Sequence, residues 1–134
     1  MILNKVTLID FPKILDPRGN LSFLQNNDQL PFRIQRAYWI YDVPGGQHSE
    51  GHAYKNTQEV IIALSGSFDI VMRESEGEKK ITLNRSYYGV YIPKLVWRHL
   101  ENFSTNSLAF IVTDLPFDEG DYIKNFTEFQ QLKK

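Results

Sequence analysis

Gly46–Gly66 reads GQHSEGHAYKNTQEVIIALSG, and this stretch decides the fold. Its punctuation runs Gly46, five residues, His52, one residue, Tyr54, four residues, Glu59, six residues, Gly66. Val60 to Leu64 is continuously apolar, as a buried strand is, and Ser65-Gly66 is a turn signal. Beyond the turn, Phe68, Ile70 and Met72 alternate with Ser67, Asp69 and Arg73, the period-two pattern of a sheet with one wet face. A second punctuated stretch starts at Gly89 and runs through Pro93 and Arg98 to Asn102.

Outward from this centre the chain reads as short strands separated by turns. Val6 to Ile9 is rich in β-branched residues, and Leu21 to Leu24 follows the turn signal Asp16-Pro17-Arg18-Gly19-Asn20. Ile34 to Tyr41 concentrates Tyr, Trp and Ile. Glu74 to Lys80, the most charged stretch, predicts the tip of a hairpin. Ile81 to Leu83, Tyr87 to Ile92, Val96 to Leu100 and Leu108 to Val112 complete a set whose spacing predicts an all-β barrel or sandwich. Only Glu119 to Lys133 departs from it. Apolar residues at Tyr122, Ile123, Phe126, Phe129 and Leu132 predict an amphipathic helix there.

The 134 residues suit one domain over 1–134, and 42% hydrophobic with 23% charged residues is an ordinary globular composition. Cysteine is absent, so neither disulfides nor thiolate chemistry enter. A formal net charge of −1 argues against general nucleic-acid or membrane-surface binding, though a few arginines can still serve one anionic ligand. Met1 to Asp10 lacks the basic segment and long apolar run of a signal peptide, and no window approaches the roughly 20 apolar residues of a membrane helix. A cytoplasmic protein is the expectation.

The two punctuated stretches resemble the paired motifs of the cupins, a double-stranded β-helix or jelly-roll barrel; here it would end in a short C-terminal helix. Metal cupins keep ligands at the positions of His52 and Glu59, but Tyr54 stands where a second His would be and Arg98 where the last would be. A catalytic zinc takes three protein ligands, and an arginine in the set repels a cation. No metal and no cofactor are expected, and the barrel points to acid/base chemistry or to binding.

Residues two apart in a strand share a face, so His52 projects with Tyr54, and Arg36 with Tyr38 and Ile40. If the barrel closes, Arg36, Tyr38, His52, Tyr54 and Arg98 converge on its cavity. An imidazole exchanges protons near neutral pH, so His52 is the first candidate for catalysis. Tyr38 and Tyr54 are candidates for relaying protons, against the ordinary reading of strand aromatics as packing. Arg18, in a turn after Pro17, joins Arg36 and Arg98 as a candidate for bidentate contact to a diphosphate. Lys55 is a further substrate-binding candidate. Glu59 either meets substrate or pairs with Arg98 in a structural role. His48 and His99 read as loop or surface residues, and Trp39 and Tyr41 as core or interface.

Taken in order, Asp16-Pro17-Arg18-Gly19, Pro31-Phe32, Arg36-Ala37-Tyr38-Trp39-Ile40-Tyr41, Gly51-His52-Ala53-Tyr54-Lys55, Leu64-Ser65-Gly66-Ser67, Pro93 with Val96-Trp97, and Asp121-Tyr122-Ile123 resemble the dTDP-sugar 3,4-ketoisomerases of the WxcM-like cupin group. The resemblance covers nearly the whole length. It implies a substrate similar to dTDP-4-keto-6-deoxyglucose, movement of the carbonyl from C4 to C3 without metal, and a product used for 3-amino-3,6-dideoxy sugars of surface polysaccharides. It also implies a homodimer with exchanged N-terminal strands. Two departures stand out. The family stretch R-G-x-H-A-H is here Ser49-Glu50-Gly51-His52-Ala53-Tyr54, so a family Arg becomes Ser49 and a family His becomes Tyr54. A dTDP-4-keto-sugar epimerase and a non-catalytic sugar-nucleotide-binding cupin remain alternatives.

Overall fold

The computed structural model describes residues 5–74 and 76–133. Twelve short strands and one helix make it up: β1 Thr7–Asp10, β2 Lys13–Ile14, β3 Leu21–Ser22, β4 Arg36–Tyr41, β5 Ala53–Tyr54, β6 Glu59–Ser65, β7 Phe68–Glu74, β8 Gly77–Leu83, β9 Tyr88–Ile92, β10 Trp97–Glu101, β11 Leu108–Thr113, β12 Tyr122–Ile123 and α1 Phe126–Lys133. β1-β9-β6-β11-β4 form one antiparallel sheet and β10-β7-β8 a second. A bridge between His52 and Arg98 joins the β5–β12 pair to β10 and extends the second sheet. The two sheets stack as a jelly roll. Among the described residues no hydrogen bonds close the two sheets into a continuous barrel, as suits a jelly roll.

The core follows from the strand alternation. Ile61, Ala63, Val90, Ile92, Ala109 and Ile111 of the larger sheet meet Phe68, Ile70, Met72, Leu83 and Leu100 of the smaller one. Burial of the larger of these side chains, each worth roughly 1.5–3 kcal/mol, is what holds the sheets together. Outside the larger sheet, Phe11, Leu30 and Phe32 of the loops between β1 and β4 cover Val60, Ile62, Tyr91 and Val112. Trp39 and Tyr41 lie beyond that cover and are 56% and 60% exposed, so they are not core residues.

The charged stretch expected as a hairpin tip is mostly strand. β8 begins at Gly77, and Lys79 and Lys80 pair with Met72 and Val71 along its edge. The tail differs more. A single helical turn at Glu119–Asp121 is capped by Asp118, whose side chain accepts from Gly120 N. Asp121 is then buried, and its carboxylate accepts from the backbone nitrogens of Asn56 (2.8 Å) and Thr57 (3.2 Å) and from Thr57 Oγ1. That anchor draws Tyr122–Ile123 out as β12 beside β5, and the helix cannot start until Asn125 caps it at Glu128 N (3.0 Å). The expected helix over 119–133 therefore shrinks to Phe126–Lys133, with Phe126 and Phe129 against Trp97. Met1–Asn4, where the N-terminal expectations begin, lie outside the described residues.

Two glycines are required by geometry. At Gly51 a Cβ would sit 2.9 Å from Trp97 Nε1, so only glycine lets the start of β5 lie against β10. Gly66 has φ +66° in the β6–β7 turn, and a Cβ there would come 2.8 Å from Ser107 Cα. Gly66→Ala is expected to cost about 1–3 kcal/mol, from left-handed strain plus displaced backbone. A lowered urea midpoint with unchanged slope checks it.

Candidate active site

Arg98 and Glu59 form the floor of the site. Arg98 projects inward from β10 and Glu59 from the first residue of β6, and both are 1% exposed. Arg98 Nη2 donates to Glu59 Oε1, and Arg98 Nη1 donates to the Val96 carbonyl at 3.0 Å. Tyr38, reaching across from β4, donates its hydroxyl to Glu59 Oε2 at 3.1 Å. The guanidinium carbon also lies 4.7 Å from the Tyr54 ring centroid. Burial works against the charge on Arg98, but the adjacent carboxylate outweighs it and raises the arginine's pKa. Glu59 thus takes the structural role that its sequence position left open.

His52 stands directly across from Arg98. Their backbones exchange both hydrogen bonds, His52 N to Arg98 O at 3.0 Å and Arg98 N to His52 O at 2.9 Å. His52 Nδ1 lies 3.3 Å from the Glu50 carbonyl, which can only accept. In the neutral ring Nδ1 therefore carries the hydrogen, and Nε2 holds a lone pair. Nε2 is buried and has no hydrogen-bond partner among the described residues; the same is true of Arg98 Nε. Burial first, then the Arg98 charge, lower the imidazole's pKa to about 4, with Glu59 opposing the shift. A neutral ring with an unused basic nitrogen results.

Phenols complete the enclosure. The Tyr54 and Tyr122 hydroxyls are 3.1 Å apart, and the two rings lie 5.1 and 5.5 Å from the imidazole, centroid to centroid. Arg36 Nη1 donates to the Tyr122 hydroxyl at 3.3 Å and lies over the Tyr38 ring at 4.4 Å. Burial first and then the Glu59 carboxylate push the Tyr38 and Tyr54 phenols above their ordinary value. Both remain protonated near neutrality and serve as donors. Together these side chains enclose about 130 Å³.

The structure brings His52, Tyr54, Tyr38, Arg98 and Glu59 together around that space, with Arg36 at its rim. It does not bring Arg18 or Lys55. Arg18 is exposed on the β2–β3 turn and paired with Asp16 at 3.0 Å; Lys55 is exposed just after β5. Ser49 ties the chain to β10: its Oγ accepts from Leu100 N at 2.7 Å. His99 is in β10, half-buried, against Glu101 at 2.7 Å, while His48 is exposed. Tyr122 lines the cavity and is absent from the sequence-based candidates. Its spacing fits a helix face; the signals for it are Asp121, which converts this segment to a strand, and the Asp121-Tyr122-Ile123 stretch of the family resemblance. Among the described residues no group of three or more His, Asp or Glu side chains is gathered to hold a metal ion. A larger groove of about 1100 Å³ between β7, β8, β10 and α1 contains none of the predicted site residues.

A jelly roll whose cavity holds a neutral imidazole, a fixed guanidinium and phenol donors defines the class: a cupin built for proton transfer. The chain belongs to the family described as "FdtA: WxcM-like, C-terminal", which residues 4–134 match. It is 33% identical over 128 residues to TDP-4-oxo-6-deoxy-alpha-D-glucose-3,4-oxoisomerase of Aneurinibacillus thermoaerophilus, covering 96% of this chain and 91% of that protein. A mutant of the 3,4-ketoisomerase QdtA from Thermoanaerobacterium thermosaccharolyticum, solved in complex with TDP-4-keto-6-deoxyglucose, superposes with TM-score 0.93 at 32% identity, over 98% of this chain and 95% of that one. The TDP-quinovose 3,4-ketoisomerase WlaRB of Campylobacter jejuni gives TM-score 0.90 at 36% identity, over 96% and 99%.

The depressed imidazole has a consequence for stability. Unfolded, His52 takes a proton near pH 6.5; folded, it resists until about pH 4. Its contribution is complete above pH 6.5 and lost as pH falls toward 4, roughly 3 kcal/mol in all. Chemical denaturation at a series of pH values is expected to show this slope in the wild type. His52→Asn should lose that component of it.

Proposed function

We propose that the protein is a sugar-nucleotide 3,4-ketoisomerase that converts a dTDP-4-keto-6-deoxyhexose to its 3-keto isomer. The observation that carries this reading is His52 Nε2, a basic nitrogen without a partner facing donors in a small cavity. Membership of a family whose named relatives are 3,4-ketoisomerases points the same way.

The hydrogen on C3 is acidified by the adjacent C4 carbonyl. His52 Nε2 takes it as a proton, the C–H electron pair becomes a C3–C4 double bond, and the carbonyl oxygen gains a proton to give an enediol. The imidazolium then returns its proton to C4 while the C3 hydroxyl loses one and becomes the ketone. An imidazolium that is so acidic in this site gives its proton back readily, as a shuttle between neighbouring carbons must. Tyr38 and Tyr54, whose own hydrogens rest on Glu59 and on the Tyr122 oxygen, form the polar wall beside the sugar oxygens, where negative charge develops, and relay protons there. Arg98 holds the electrostatics of the floor.

About 130 Å³ admits only part of a hexose, so the nucleotide lies across the mouth. Arg36 is placed there to meet the diphosphate, flanked by Phe117, which is 61% exposed. Arg18 and Lys55, outside the cavity, have no part in the chemical step. The reaction as read here needs no metal or cofactor.

The same reading takes the protein as a cytoplasmic homodimer that contributes 3-amino-3,6-dideoxy sugar precursors to surface polysaccharides. β1 is an edge strand whose Leu8 is 58% exposed, consistent with N-terminal exchange between subunits. No helix among the described residues is long and apolar enough to cross a membrane.

Incubation of dTDP-4-keto-6-deoxyglucose with the protein in D₂O, followed by NMR, is the test. A 3-keto sugar is expected, carrying at C4 the hydrogen taken from C3, or deuterium in those turnovers where the imidazolium exchanges with solvent first, and His52→Asn should lower the rate by about 10²- to 10⁴-fold. Inversion at C3 or C5 would instead make it an epimerase. Tight dTDP binding with neither a 3-keto product nor exchange at C3 would make it a binding protein.

A further inference from the structure

Tyr122 reaches the cavity from β12, a strand that exists only because Asp121 is clamped beside Asn56 and Thr57. Its hydroxyl oxygen receives two hydrogen bonds, from Tyr54 at 3.1 Å and from Arg36 Nη1 at 3.3 Å. A phenol oxygen has two acceptor positions, and both are filled. The Tyr122 hydrogen itself has no acceptor among the described residues, and the residue lines the cavity beside the imidazole, 5.5 Å between ring centroids. Tyr38, which lines the same cavity, gives its own hydrogen to Glu59. Tyr54 and Tyr122 are thus a hydrogen-bonded pair with its oxygen end on the Arg36 guanidinium.

We propose that Tyr122 is a catalytic acid: it protonates the substrate's carbonyl oxygen, and the hydrogen bond from Tyr54 steadies the oxygen that gives up the proton. The inference rests on the ketoisomerase reading above. In the first half-reaction, His52 Nε2 removes the C3 proton as the Tyr122 O–H bond breaks and its proton goes to O4. The electron pair left on Tyr122 is a phenolate, held by the N–H of Arg36 and the O–H of Tyr54. In the second half, the C3 hydroxyl gives its proton to that phenolate, directly or through Tyr54, as C3 becomes the ketone and the imidazolium protonates C4. Every proton taken is returned, and no outside reactant is needed. The pairing also gives Tyr54 a part: its hydroxyl donates to Tyr122 and can pass a proton to it.

Tyr122→Phe keeps the ring that packs on His52, Tyr54 and Phe117 and removes only the hydroxyl. With dTDP-4-keto-6-deoxyglucose, kcat is expected to fall about 10²-fold or more while KM stays within about threefold. Exchange of the C3 hydrogen in D₂O should fall in parallel with kcat. As a second variant, difluorotyrosine incorporated at position 122 makes the phenol more acidic without altering its packing. The basic limb of the kcat–pH profile should then move to lower pH. A Tyr122→Phe enzyme with kcat within threefold of wild type, or an unmoved basic limb with difluorotyrosine, overturns the role of Tyr122 and leaves the ketoisomerase reading intact. A wild type that neither exchanges nor isomerises overturns both.

Discussion

The buried pair of Arg98 and Glu59 is the constraint on which the site depends. Removing two charges from water costs several kcal/mol per ion, and the cost is offset only when each group is fully engaged. Here the carboxylate has the guanidinium and the Tyr38 hydroxyl, and the guanidinium has the carboxylate, the Val96 carbonyl and the face of Tyr54. Those contacts bind β4, β6 and β10 to one another at the point where the sandwich opens. They also set the electrical character of the cavity. A positive charge that cannot be titrated away sits beside His52, and the imidazole responds by staying neutral.

Neutrality decides what the ring can do. A histidine titrating near its ordinary value would be partly protonated at working pH and only partly available as a base. This one is a free base throughout the neutral range, but a weak one, so it cannot remove a proton from carbon unaided. The rest of the site answers that need. In the proposed reaction, phenols kept protonated by burial and by the Glu59 charge stand where oxygen becomes negative, and each proton given to oxygen makes the one on carbon easier to take. The histidine and the phenols are therefore a single device, and neither half makes chemical sense alone.

Much of this was legible in the chain. The period-two pattern at Phe68–Met72, the apolar run at Val60–Leu64 and the glycine-punctuated spacing around His52 are local signals, and the strands form where those signals lie. Strand alternation put His52 with Tyr54 and Arg36 with Tyr38 on shared faces; bringing both pairs to Arg98 needed the cupin resemblance as well. What escaped was set by tertiary contacts. Tyr122 and Ile123 fit a helical stripe, but the bonds from Asn56 and Thr57 to Asp121 tie the segment to the loop after β5, 65 and 64 residues away, and no local pattern records that. Trp39 and Tyr41 have the composition of core residues, yet the covering loop ends before it reaches them. Arg18 was placed by its residue type, and its neighbour Asp16 claims it.

The most direct test is the protonation state of one ring. Nitrogen-15 NMR of histidine-labelled protein, free of ligand, follows both nitrogens of His52 through a pH titration. The account predicts a neutral ring with the hydrogen on Nδ1 and an unprotonated Nε2, persisting until the pH falls to about 4. A ring that titrates at or above 6.5, or one that carries its neutral-state hydrogen on Nε2, would contradict it.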